Sequence, residues 1–118
     1  RSPEYGEFAS NVAMVLAKNG YSVLEAGCAR DARALFEKEK GRIDLVFSDM
    51  VLQDSNGVAL IDDLKALNAK FRVLITSGYM EVDSSFPAIR EKGYQFLQKP
   101  YEIPDLLRSV KQALGKKL

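Results

Sequence analysis

A carboxylate, a hydroxyl and an ammonium stand where three apolar runs of the chain stop: Asp49, Ser77 and Lys99. Asp49 directly follows Ile43–Ser48 (IDLVFS), Ser77 ends Val73–Ser77 (VLITS), and Lys99 follows Tyr94–Gln98 (YQFLQ). Together the three side-chain types make one chemistry. A carboxylate can attack phosphorus, a lysine can neutralise phosphoryl oxygens, and a hydroxyl can hydrogen-bond one of them. Taken singly, each has a plainer use. Asp49 could start a loop or cap a helix, Ser77 with Gly78 could be turn chemistry, and Lys99 could be a solvated lysine before a proline. The same coincidence at three consecutive strand ends favours the joint reading.

For these groups to meet, the elements carrying them must end at one edge of the molecule. Phe8, Val12, Val15 and Leu16 share one face of a helix that stops at Gly20. Tyr21–Ala26 (YSVLEA) reads as a short strand broken by Gly27, and Ala32, Leu35 and Phe36 mark a second amphipathic helix closed by Gly41. Ile43–Ser48 is a compact apolar run of the kind buried on both faces in a parallel sheet. Leu60, Leu64 and Leu67 set a third helix, and Val73–Ser77 is the next buried strand. A loop with Gly78 and Asp83 leads to a short helix near Ser85–Lys92, where Pro87 is tolerable in the first turn. Tyr94–Gln98 is the last strand, and Pro104 opens a final helix carrying Leu106, Leu107, Val110 and Leu114. The order α-β-α-β-α-β-α-β-α implies a parallel sheet with right-handed crossovers and helices on both faces. In such sheets function gathers beyond the carboxyl ends of the strands, which is where Asp49, Ser77 and Lys99 stand.

Composition narrows the classes. With 118 residues, one domain covering 1–118 and one buried core are expected. Seventeen basic and 16 acidic residues give a net charge of +1, which offers no electrostatic reason for nucleic-acid or membrane binding. Lys116–Lys117 is read as a solvated tail. Cys28 is the sole cysteine, so no intrachain disulfide can form, and a reduced, cytoplasmic setting fits. The chain has no histidine, which excludes Ser-His-Asp or Cys-His catalysis and leaves zinc without its commonest ligand. No apolar run approaches the ~20 residues that span a bilayer. The chain opens on Arg1 rather than methionine, so a longer parent is expected.

Three motifs, in order, carry a resemblance to CheY-like receiver domains of two-component signalling. Ser48-Asp49-Met50-Val51-Leu52 through Gly57 resembles the phosphorylation loop, Ser77-Gly78-Tyr79 the serine/threonine switch, and Phe96-Leu97-Gln98-Lys99-Pro100 the closing lysine–proline motif. The resemblance covers Phe8 to Leu114 and implies a flavodoxin-like, doubly wound five-stranded sheet between two helical layers. It further implies that Asp49 is the phosphoacceptor, attacking the phosphohistidine of a histidine kinase or histidine phosphotransfer partner. Mg2+ would be held by Asp49 and the backbone carbonyl of Val51. Ser77 would turn to the new phosphoryl group, Lys99 would pair with it, and Phe96 matches the aromatic switch residue. The Lys99–Pro100 bond would be cis. Beyond its own phosphoryl transfer and dephosphorylation the domain would be no enzyme, although the flavour of the switch resembles receivers attached to hybrid sensor histidine kinases.

Two positions depart from that pattern. Gln53 stands where the family usually has proline, a mild change in loop stiffness. More seriously, family members open with an apolar strand ending in a metal-binding acidic pair, and the corresponding positions here are Pro3 and Glu4, preceded only by Arg1 and Ser2. Glu4 is either a stand-in for one acid or a solvated residue at a helix start. The missing strand is supplied upstream of Arg1, supplied by another chain, or lost in a degenerate receiver. The alternative function is a pseudo-receiver that binds partners or forms a homodimer without phosphorylation. A flavin-binding reading would need a hydroxyl- and glycine-rich phosphate loop, and none is visible.

Overall fold

The apolar runs condense into a parallel three-stranded sheet in the order β1-β2-β3. The computed structural model describes residues 11–78, 87 and 89–115. Their elements are α1 (Asn11–Lys18), α2 (Ala29–Lys38), β1 (Leu45–Asp49), α3 (Gly57–Leu67), β2 (Arg72–Ser77), β3 (Gln95–Gln98) and α4 (Ile103–Leu114). Residues 89–92 are also helical, as expected for the second half of the Ser85–Lys92 segment. Among the described residues no helix is long and apolar enough to cross a membrane.

β2 is the middle strand, and Val73 through Ser77 are all buried. Its period of two sends alternate side chains to opposite layers. Val73 and Ile75 join Phe36, Leu60, Ile61, Leu64 and Phe71 under α2 and α3. Leu74 joins Leu16, Leu97, Leu106, Val110 and Ala113 under α1 and α4. Each fully buried Leu or Ile contributes about 1.5–3 kcal/mol relative to exposure, so this central strand anchors both layers. On the first face, Phe36 and Phe71 meet edge to face with ring centroids 5.5 Å apart.

Local signals set the helix ends. Asn56 caps α3, its side-chain oxygen accepting the Ala59 N–H at 2.8 Å. Pro104 lies in the first turn of α4, where its missing N–H costs nothing. Asp105 in that turn accepts the Glu102 N–H at 3.3 Å. α2 closes with Lys40 and Gly41 both in the left-handed region, and the Gly41 N–H reaches back to the Phe36 carbonyl at 2.9 Å. A side chain at Gly41 would also press on Asn68, 2.7 Å from its Nδ2.

The sequence-based expectation fails at Tyr21–Ala26. This segment joins no ladder among the described residues, although it keeps the alternation of a strand, with positions 21, 23 and 25 half-buried and 22, 24 and 26 exposed. Tyr21 and Val23 pack on the α1/α4 face. Leu24 and Ala26 face the outer side of β1 across a groove of about 270 Å³ that Leu45, Val46 and Phe47 also line. The physical reason is backbone pairing. In the order β1-β2-β3 the outer edge of β1 meets no strand among the described residues, and Tyr21–Ala26 stops short of it. The implied five-stranded sheet is therefore three-stranded across the described residues, and the Pro3–Glu4 region lies outside them.

Candidate functional site

Strand register brings the three chemical groups to one edge. Asp49 pairs with Thr76 across β1 and β2, and Ser77 pairs with Gln98 across β2 and β3. The Lys99 N–H then donates to the Ser77 carbonyl at 2.9 Å, carrying the ladder one residue past β3. The Lys99–Pro100 bond is cis. From there the Lys99 Nζ reaches across the middle strand and donates to Asp49 Oδ2 at 2.5 Å. Both side chains are partly open to solvent, 42% for Lys99 and 34% for Asp49. At that exposure an ion pair adds only ~0–1 kcal/mol of stability, so its importance lies in what it positions.

The remaining groups are arranged around this pair. Ser77 is fully buried, and its hydroxyl donates to the Gly78 carbonyl at 3.0 Å. Phe96 is half-buried against the α2/α3 core. Val51 is exposed and forms an antiparallel bridge with Asn56 across the loop after Asp49. Glu4 and Tyr79 lie outside the described residues. The structure thus joins Asp49 to Lys99 directly and sets Ser77 between their strands, while the hydroxyl points to its own neighbour rather than to either partner.

The loop is held from below by Gly57. Its N–H donates to the Met50 carbonyl at 2.8 Å, and a Cβ there would collide with the Asp49 carbonyl oxygen. α3 can therefore start directly beneath Asp49 only if its first residue is glycine. Ser48 donates its hydroxyl to that same Asp49 carbonyl at 2.8 Å, fixing the backbone from the other side.

One oxygen of the site is unsatisfied. Asp49 Oδ1 is buried and accepts no hydrogen bond among the described residues, while Oδ2 holds Lys99. Leaving a charged acceptor in that state is costly, more than the ~1–3 kcal/mol of a neutral group. A hard cation with its waters meets the need, because magnesium takes oxygen ligands and is often held by only one or two carboxylates. Asp49 Oδ1 fits that requirement. No group of three His, Cys, Asp or Glu side chains gathers as a metal cluster among the described residues.

Two neighbours escaped the sequence reading. Tyr101 is half-buried, and burial pushes its phenol above the ordinary value, with Asp49 adding to the rise and Lys99 opposing it. Asp54, in the loop after Asp49, accepts the Ala29 and Arg30 N–H groups at 2.8 and 3.0 Å. Those two bonds hold its carboxyl below the usual carboxylate value. The one sequence signal for it was indirect: Cys28 is a poor N-cap, so α2 needed an acceptor from elsewhere.

A family model described as the response regulator receiver domain matches residues 6–111. The sensor kinase CckA of Brucella abortus is 30% identical over 101 residues, covering 86% of this chain and 11% of that protein. The nitrogen assimilation regulatory protein NtrX of Azorhizobium caulinodans is 35% identical over 106 residues, covering 87% of this chain and 23% of that one. The chain therefore spans less than a quarter of either relative. The crystal structure of the receiver domain of NtrX from Brucella abortus is similar with a TM-score of 0.78 at 30% identity, over 90% of this chain and 88% of that one.

Proposed function

This chain belongs to the response regulator receiver domain family, and on that premise we propose that it is a cytoplasmic phosphoacceptor module of a two-component phosphorelay, with Asp49 as the acceptor. The observation that carries the reading is the Lys99–Asp49 contact, which joins the ends of two strands that are not neighbours. The donor is the phosphohistidine of a kinase or phosphotransfer protein, in keeping with the similarity to a sensor kinase.

In this reading an Asp49 carboxylate oxygen attacks phosphorus in line. The bond to the imidazole nitrogen breaks, its electron pair returns to the ring, and an acyl phosphate forms on Asp49. Lys99 then stabilises charge on the phosphoryl oxygens. Mg2+, held by Asp49 and the Val51 carbonyl, would supply further charge neutralisation. Ser77 must give up its bond to the Gly78 carbonyl to reach the phosphoryl group. A neutral hydrogen bond nets about 0.5–1.5 kcal/mol and one to a charged group about 1.5–3, so the exchange favours the phosphorylated state. Movement of Ser77 opens space behind it, and Phe96, half-buried on the neighbouring strand, is the side chain placed to follow.

Magnesium-dependent labelling by acetyl phosphate tests the assignment. The chain should acquire hydroxylamine-sensitive phosphate, and Asp49→Asn should reduce it to background. Labelling of that variant at the wild-type rate would remove Asp49 from the role. A second reading, a pseudo-receiver acting by protein interaction alone, is favoured by Pro3 and Glu4 standing where the family has its acidic pair. It is the correct one if the wild-type chain takes up no phosphate with magnesium in excess.

A further inference from the structure

The loop after Asp49 is tied to two helix starts, and one of the ties comes from far away in sequence. Asn56 caps α3, the helix it immediately precedes. Asp54 instead caps α2, which begins 25 residues earlier, with Oδ1 on the Ala29 N–H and Oδ2 on the Arg30 N–H. The N-cap residue of α2, Cys28, makes no side-chain cap bond of its own to the helix. A bidentate carboxylate at a helix N-terminus combines hydrogen bonds to orphan amides with a favourable dipole. The loop that carries the two ties is short and internally braced. Leu52 N–H donates to the Ser55 carbonyl at 3.1 Å, and Val51 bridges Asn56. Asp54 therefore ties the N-terminus of α2 to the loop that carries Val51 and follows Asp49.

We propose that Asp54 is a positioning residue for phosphoryl transfer: it locks the acceptor loop to the N-terminus of α2, so that the reactivity of Asp49 depends on where α2 sits. The inference rests on Asp49 being the acceptor. It assigns Asp54 a role beyond capping, because a cap serves the helix whereas this tie serves the loop as well.

A helix whose own cap is restored separates the two roles. The chain would be compared as wild type, Asp54→Ala, Asp54→Asn, and Asp54→Ala combined with Cys28→Asp, which gives α2 a cap from its own sequence. Amide exchange at Ala29 and Arg30 reports the helix start, and exchange at Leu52 reports the loop. The initial rate of labelling by acetyl phosphate at saturating magnesium reports the chemistry. Asp54→Ala should speed exchange at all three amides and slow labelling by about fivefold, the scale of one lost N-cap. Asp54→Asn, whose single carboxamide oxygen can accept from only one of the two amides, should fall between wild type and Asp54→Ala in both. The double variant should recover protection at Arg30, the amide an N-cap side chain can reach, and lose it at Leu52, with labelling still slow. Recovery of loop protection and labelling in the double variant would overturn the proposal, as would unchanged Leu52 exchange in Asp54→Ala. If the wild-type chain takes no phosphate, the acceptor reading fails on its own, and the Leu52 exchange still decides whether Asp54 holds the loop.

Discussion

Tyr21–Ala26 and Tyr94–Gln98 begin with the same residue and carry a similar mix of apolar and polar side chains, yet only the second contains a strand. Gln95–Gln98 lies against β2 in register, from Leu74↔Gln95 to Ser77↔Gln98. Its Leu97 is buried under α4 and its Phe96 packs toward α3. Tyr21–Ala26 has the matching alternation and one packed face, but no neighbouring backbone completes a ladder among the described residues. Side-chain pattern decides which way residues point. Strand formation also needs donors and acceptors across the way.

The largest contrast should appear in hydrogen exchange. Those amides of Gln95–Gln98 that donate to β2 should open only with most of the domain. Those of residues 21–26 should exchange at least about a hundredfold faster, because they have few ladder bonds to lose. Equal protection would mean that the first segment has found a partner strand in solution. An N-terminal extension donating an apolar strand to the outer edge of β1 should remove the difference and raise the melting temperature.

Packing should differ less, but measurably. Leu97→Ala removes a buried side chain and should cost about 2–4 kcal/mol in urea denaturation. Leu24→Ala, at 40% exposure beside the groove, should cost under about 0.5 kcal/mol. A large loss at Leu24 would show that the groove is closed over it.

The smallest effect is in acid. Asp54 and Asp105 cap the helices that follow the two segments, and each is depressed below the ordinary 3.8, chiefly by the backbone N–H groups it accepts. A depressed carboxyl stabilises the fold fully above its unfolded value and loses that contribution as pH falls through its folded one. Both helix starts should therefore fray only below pH 3.8, while the β3 ladder stays protected. Carboxyl titration by NMR gives the midpoints, and a value for Asp54 at or above 3.8 would remove its bonds to α2.

The same division explains what could be read from the sequence. Ile43–Ser48, Val73–Ser77 and Tyr94–Gln98 were legible because their apolar runs are short and end abruptly, and each holds a strand. The first strand closes on Asp49 itself, one residue later than its apolar run implies. The meeting of Asp49 and Lys99 was legible because a parallel sheet collects strand ends at one edge. Asp54 was hidden because its partners lie 25 residues back and a carboxylate in a loop has many uses. The fate of Tyr21–Ala26 was hidden for the reason already given: its own residues say nothing about whether a neighbour exists.

Gly57 gives the site a tolerance that differs sharply from one position to the next. Asn56 works through a single side-chain acceptor, which Asp, Ser or Thr also provide, so that position admits several residues. The next position admits none with a β-carbon, since the atom would land on the carbonyl of Asp49 itself. In a saturation library selected for folding, position 57 should be the letter that never varies beside one that varies freely. The invariance would come from the space the Asp49 backbone occupies, although Gly57 has no side chain with which to touch a phosphoryl group.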